Sequence, residues 1–148
     1  MLRKTVVLII VIFAVSITSF AQIRKIPAEV TAAFTKQYAA AADVTYKDNL
    51  KSFNVHFTLN GAKMIAKYGS KGEWKETERV IDLETLPAAV KEGFEKSKYF
   101  DWQTAEAVVI QHPSGTEQYR LKVEKNELQK KYLFYTKSGR LIRDAITI

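Results

Sequence analysis

Cysteine is absent from this 148-residue chain. That excludes disulfides, thiolate nucleophiles and the sulfur ligands of structural zinc. Histidine is nearly absent: His56 and His112 stand far apart, with no His-Glu-x-x-His pattern, so no metal site is expected. Glycine occurs only six times, without a phosphate-cradling loop or a Gly-x-Ser-x-Gly nucleophile elbow. Glu76 and Glu78 lie two apart on one strand and share a face. They read as a solvated edge or as partners of nearby lysines, not as a glycosidase pair. His56 reads as an exposed polar residue of a strand, with a surface ligand or pH sensor as the sharper alternative. A reactive site needs a base beside a nucleophile, or a metal with ligands. None is legible, so no enzyme, no catalytic residue and no cofactor is expected.

A long apolar run occurs once, at the start. Arg3 and Lys4 precede the run at 6–15, and Ser19-Phe20-Ala21 sets small residues ahead of Gln22. Residues 1–21 therefore read as an export signal cleaved after Ala21. An uncleaved anchor is the weaker alternative, because the run is short against the about 20 residues that span a bilayer. No cysteine follows that could carry a lipid at the new terminus. The protein is expected to be exported, periplasmic or extracellular, and not membrane-spanning after cleavage. Removing Arg3 and Lys4 leaves 21 basic against 16 acidic residues, a net charge of +5. The charges are interspersed, as in Lys122-Val123-Glu124-Lys125. The excess reads as simple solubility, with contact to anionic envelope surfaces or acidic partners as the alternative, and not as a nucleic-acid patch.

One phrase is present twice. Ile26-Pro27-Ala28-Glu29-Val30-Thr31-Ala32-Ala33-Phe34 returns sixty positions on as Leu86-Pro87-Ala88-Ala89-Val90-Lys91-Glu92-Gly93-Phe94. Each copy precedes alternating apolar residues broken by glycine turns, which argues for a duplicated unit: repeat 1 at 22–81 and repeat 2 at 82–148. Pro27 and Pro87 suit the first position of a helix. Val30, Ala33, Phe34 and Tyr38 form the first helical stripe; Val90, Gly93 and Phe94 form the second, which runs to about Lys98. Ala33 and Gly93 occupy one slot, where a small residue lets the helix approach the sheet.

Phe53, Val55, Phe57 and Leu59 alternate up to Asn60-Gly61, a two-residue type I′ turn. That turn predicts the pairs Leu59–Ala62, Phe57–Met64, Val55–Ala66 and Phe53–Tyr68. Ser70-Lys71-Gly72 then sets Tyr68 opposite Trp74, and Val44 and Tyr46 suggest a preceding strand. In the second half, strands are expected at 102–110, along Tyr119-x-Leu121-x-Val123, at 128–136 and at 140–148, with a connector at 80–86. Lys137-Ser138-Gly139 matches Ser70-Lys71-Gly72. The fold expected is α+β: two tandem α-β-β-β-β repeats, antiparallel meanders with one helix per repeat on one side.

The phrase Ile/Leu-Pro-Ala-x-Val-x-x-x-Phe, the alternating strands and the Gly72-Glu73-Trp74 hairpin resemble the PepSY-like, beta-lactamase-inhibitor-like family of small exported proteins of Bacteroidetes-type bacteria. The resemblance covers nearly all of residues 25–145. It implies two α/β repeats sharing one curved antiparallel sheet with helices on its convex back, and implies no activity. Members often carry an Asp-x-Asp-Gly turn before the aromatic strand. Here Gly69-Ser70-Lys71-Gly72 and Thr136-Lys137-Ser138-Gly139 hold lysine and no aspartate, so calcium is not expected there.

The strand positions facing away from the helices form the candidate partner surface. They are His56 and Ile65 in the first half, and Tyr132, Phe134 and Ile142 beside Arg120 and Lys122 in the second. Aromatics ringed by basic side chains suit a protein or glycan. The alternative is burial through a register slip, a bulge or the other repeat. The function expected is a non-catalytic exported binding or inhibitor-like module whose partner is an envelope or secreted protein or glycan. The alternative is an envelope protein sensing a small ligand or metal.

Overall fold

The computed structural model describes residues 25–147; the export signal read at 1–21 lies outside the described residues. The chain forms α1 (Ala28–Gln37), β1 (Ala42–Asp48), β2 (Phe53–Leu59), β3 (Ala62–Tyr68), β4 (Trp74–Ile81), α2 (Ala88–Glu95), β5 (Gln103–Gln111), β6 (Glu117–Glu124), β7 (Lys130–Thr136) and β8 (Leu141–Ile146). A 3-10 turn at Leu83–Thr85 joins β4 to α2. The order is α-β-β-β-β twice. Each strand pairs antiparallel with the next in sequence, giving one eight-stranded sheet with β1 and β8 at its edges.

The β2–β3 hairpin has the register expected of it, from Leu59↔Ala62 to Phe53↔Tyr68. Asn60 and Gly61 both take positive φ, 49° and 77°, as a type I′ turn requires. Tyr68 pairs with Trp74 across the next turn. The halves join where β4 pairs with β5, from Thr77↔Gln111 to Ile81↔Ala107. Val80 and Ile81 therefore belong to a strand, and the connector shrinks to residues 82–87.

Register also decides which face the helices take. Met64 pairs with Arg79, Arg79 with Val109, Val109 with Tyr119 and Tyr119 with Tyr135. That row joins two buried clusters: Val30 and Phe34 of α1 on Phe53, Val55, Phe57 and Tyr68, and Val90 of α2 on Val109, Leu121, Leu133 and Tyr135. Both helices thus cover one face, as expected. Both are too short to persist alone. Neither has a side-chain cap, and burial of their apolar stripes holds them.

Four details depart from the sequence reading. Pro27 and Pro87 sit one residue earlier, as caps with extended ψ of 143° and 139°; their carbonyls accept from Val30 and Val90 at 3.1 and 2.9 Å. The second helix stops at Glu95, where the Ser97 hydroxyl takes the Phe94 carbonyl. Phe94 is consequently only partly buried, and Tyr99 fills the core beside it. The strand expected from residue 128 begins at Lys130, leaving Leu128 exposed in the preceding loop.

The small slot shared by Ala33 and Gly93 has a structural use in both halves. The hairpin glycines Gly72 and Gly139, at φ 82° and 84°, lie against the second residue of each helix. A Cβ on Gly72 would meet the Glu29 carbonyl at 2.6 Å and Ala33 at 3.4 Å; one on Gly139 would overlap the Ala89 carbonyl outright. Close approach of turn to helix needs glycine on the turn and a small residue on the helix.

Candidate binding face

With the helices on one side, the opposite side of the sheet carries no covering element among the described residues. Two cross-strand rows organise it. Thr45, His56, Ile65, Glu78, Ile110, Gln118 and Thr136 pair successively from β1 to β7. Val80, Val108, Arg120, Phe134 and Arg143 pair successively from β4 to β8. Alternation along each strand puts every one of these side chains on the open face.

The centre of the face is an ion network across the junction of the halves. Lys67 donates to Glu76 at 2.7 Å and to Glu78 at 2.6 Å. Arg120 Nη2 lies 3.0 Å from the other oxygen of Glu78 and 3.9 Å from Glu106. His112 Nδ1 stands 3.8 Å from Glu76. Glu78 is 6% exposed. Burial pushes its carboxyl upward, but hydrogen bonds from Lys67 and Arg120 and their charges outweigh that and hold it below the usual range. Burial likewise lowers Lys67, and its two carboxylate partners more than reverse the shift. The two glutamates are thus partners of a lysine, as the sequence allowed. They are not on an edge, because β4 lies inside the sheet; both carboxylates are engaged by Lys67 within the ion network.

Beside the network, His56, Lys63, Ile65, Val80, Val108 and Arg120 help line an open hollow of about 330 Å³. Burial and the charge of Lys47 lower His56, with Glu78 acting against them. His56, Ile65 and Arg120, drawn from three strands, are therefore brought together. Lys122 pairs across from Tyr132 and lies 3.7 Å from Glu124.

On β7 the parity is as expected: Leu133 and Tyr135 enter the helix-side core, while Tyr132 and Phe134 face the other way. Exposure is not as expected. Phe134 packs with Val108, Ile110, Tyr132 and Ala145, and the Arg143 guanidinium stacks 3.5 Å above its ring. Only 8% of Phe134 remains exposed. Arg120 similarly lies over Tyr132 at 4.9 Å. Leu141 pairs with Tyr135 and Arg143 with Phe134, so Ile142 is the extra residue of a β-bulge, 42% exposed. Arg143, not Ile142, is the β8 residue that covers Phe134. Its sequence signal is faint: an arginine two residues beyond an apolar edge position.

A family model described as beta-lactamase-inhibitor-like, PepSY-like matches residues 51–143. A DUF2874 family protein of Bacteroides ovatus superposes with a TM-score of 0.76 at 24% identity, covering 83% of this chain and 89% of that one. A protein of Bacteroides eggerthii described as a candidate periplasmic protein gives 0.76 at 23% identity, over 83% and 90%. A BLIP-like protein of Bacteroides fragilis gives 0.73 at 20% identity, over 84% and 89%. At these identities the likeness shows the fold. No curated protein matches the chain. Among the described residues no helix is long and apolar enough to cross a membrane.

Proposed function

This chain belongs to the beta-lactamase-inhibitor-like, PepSY-like family, and from that premise we propose that it is a non-catalytic, exported binding module that engages an envelope or secreted protein through the open face of its sheet. The observation that carries this reading is the uncovered face itself: half of a two-sided sheet displays stacked cation–aromatic pairs, Arg120 on Tyr132 and Arg143 on Phe134, while both helices occupy the other side. Such a surface offers aromatic and arginine anchors, the residue types that dominate interface energetics. In this reading residues 1–21 are the export signal, 22–81 and 82–148 are copies of one unit, and the protein works in the periplasm or outside the cell.

The test is capture from an envelope fraction with the exported protein as bait, run beside Tyr132→Ala and a helix-side control, Lys36→Ala. A partner retained by the wild type and the control but lost with Tyr132→Ala supports the reading. A partner retained by all three overturns it.

The hollow lined by His56, Ile65 and Arg120 favours a second reading, an envelope sensor of a small ligand. Its volume lies at the lower end for small-molecule sites, about 300–1,000 Å³. Thermal stabilisation by cell-wall fragments tests it, and an unchanged melting temperature counts against it. No group of three or more metal-ligating side chains occurs among the described residues.

A further inference from the structure

The open face is not electrically even. On the second half, register places Arg120, Lys122, Lys130 and Arg143 on it against the carboxylates of Glu106 and Glu124. Glu124 is shared between Lys122 at 3.7 Å and Lys130 at 3.4 Å, so one carboxylate serves two ammonium groups. Arg120 is engaged by the buried Glu78. Arg143 has no carboxylate within ion-pair distance among the described residues; its contact is the ring of Phe134. A cation held over a ring spends no N–H donor on an anion, so the guanidinium keeps the fork that matches a carboxylate. β8 is an edge strand of the sheet, so those donors sit at a rim with no further strand beyond among the described residues.

We infer that this corner, Arg143 over Phe134 with Tyr132 and Lys122 beside it, docks an acidic segment of a partner protein. One carboxylate seats on Arg143 and an apolar side chain two residues away lies beside Tyr132, whose ring already carries Arg120. Tyr132 and Phe134 are two apart on one strand, about 6.6 Å, which is the repeat of any extended segment. Charge complementarity selects an acid. A nucleic acid or an anionic bilayer would need an unbroken track of cations, and Glu106 and Glu124 interrupt this one. The inference rests on the binding reading above and specifies the chemistry of the partner.

The test uses fluorescence anisotropy of the purified protein with a labelled peptide alternating glutamate and valine. A lysine–valine peptide, duplex DNA and phosphatidylglycerol vesicles serve as comparisons. The acidic peptide alone should bind, and should weaken about tenfold between about 50 and 500 mM salt. Arg143→Gln should weaken it about tenfold further, Lys36→Gln not at all, with both variants melting within a degree or so of the wild type. Three results overturn the inference: no binding of the acidic peptide, equal losses in the two variants, or DNA and vesicles binding with the same dependence on Arg143. If the Tyr132-dependent partner is captured but ignores Arg143→Gln, the acidic docking falls while the binding module stands.

Discussion

Gly93 of the second helix lies so close to Gly139 of the last hairpin that a Cβ on Gly93 would overlap the Gly139 carbonyl, and a Cβ on Gly139 would overlap the carbonyl of Ala89. Two backbones touch here. The first half repeats the arrangement with Ala33 against Gly72 and slightly more room. This contact predicts that Gly139→Ala loses roughly 3 kcal/mol, combining left-handed strain with a steric overlap. Gly61→Ala should lose only about 1 kcal/mol, since Gly61 has positive φ but nothing within 4 Å of the added carbon. Urea midpoints at unchanged m-value measure the difference.

The two phenylalanines of the repeated phrase should not behave alike. Phe34 is 3% exposed and meets Tyr38, Tyr46, Phe57 and Tyr68, so Phe34→Ala should remove about 3–5 kcal/mol. Phe94 is partly exposed at the end of a shorter helix, and Phe94→Ala should remove about half that. Equal losses would show that the halves share their burden more evenly than their burial does.

The Glu78 network sets a pH window. Because its carboxyl is held below the usual range, its contribution is present above the unfolded value near pH 4.3 and is lost as pH falls through the lowered folded value. The raised Lys67 acts at the other end: its contribution is present below about pH 10.4 and is lost as pH climbs through the folded value. Glu78→Gln should destabilise by about 3 kcal/mol at neutral pH, by leaving Lys67 and Arg120 short of an anion, and should flatten the acid limb. Urea midpoints from pH 3 to 7 check both. An acid limb unchanged in the variant would mean another carboxylate controls it.

His56 supplies a smaller signature. Its value is lowered by burial first and by Lys47 second, so the folded state favours neutral imidazole. Stability should decline as pH drops below the unfolded value of about 6.5. In His56→Gln that decline should vanish between pH 7 and 5, leaving only the carboxylate limb.

On the open face, Phe134→Ala should lose roughly 3 kcal/mol because the ring is buried beneath Arg143, whereas Tyr132→Ala should lose about 1 kcal/mol. The pair separates packing from recognition: Tyr132 can be removed without unfolding, and Phe134 cannot serve as a clean probe. Thermal melts of the two variants decide it.

The alternation of Phe53, Val55, Phe57 and Leu59 with the Asn60-Gly61 turn determined an entire hairpin register, because side-chain period and turn type are local quantities. The repeated Pro-Ala-x-Val phrase likewise located both helices and the face they cover. The face taken by Tyr132 and Phe134 was legible for the same reason. What lay beyond sequence was whatever depends on which strand comes to lie alongside. Glu78 became a buried anion because β3 and β6 bring Lys67 and Arg120 to it from 11 and 42 residues away. Phe134 became covered because a bulge in β8 places Arg143, not Ile142, across from its ring. Periodicity assigns a side of the sheet to each side chain; only tertiary pairing assigns its neighbours, and neighbours decide exposure and charge.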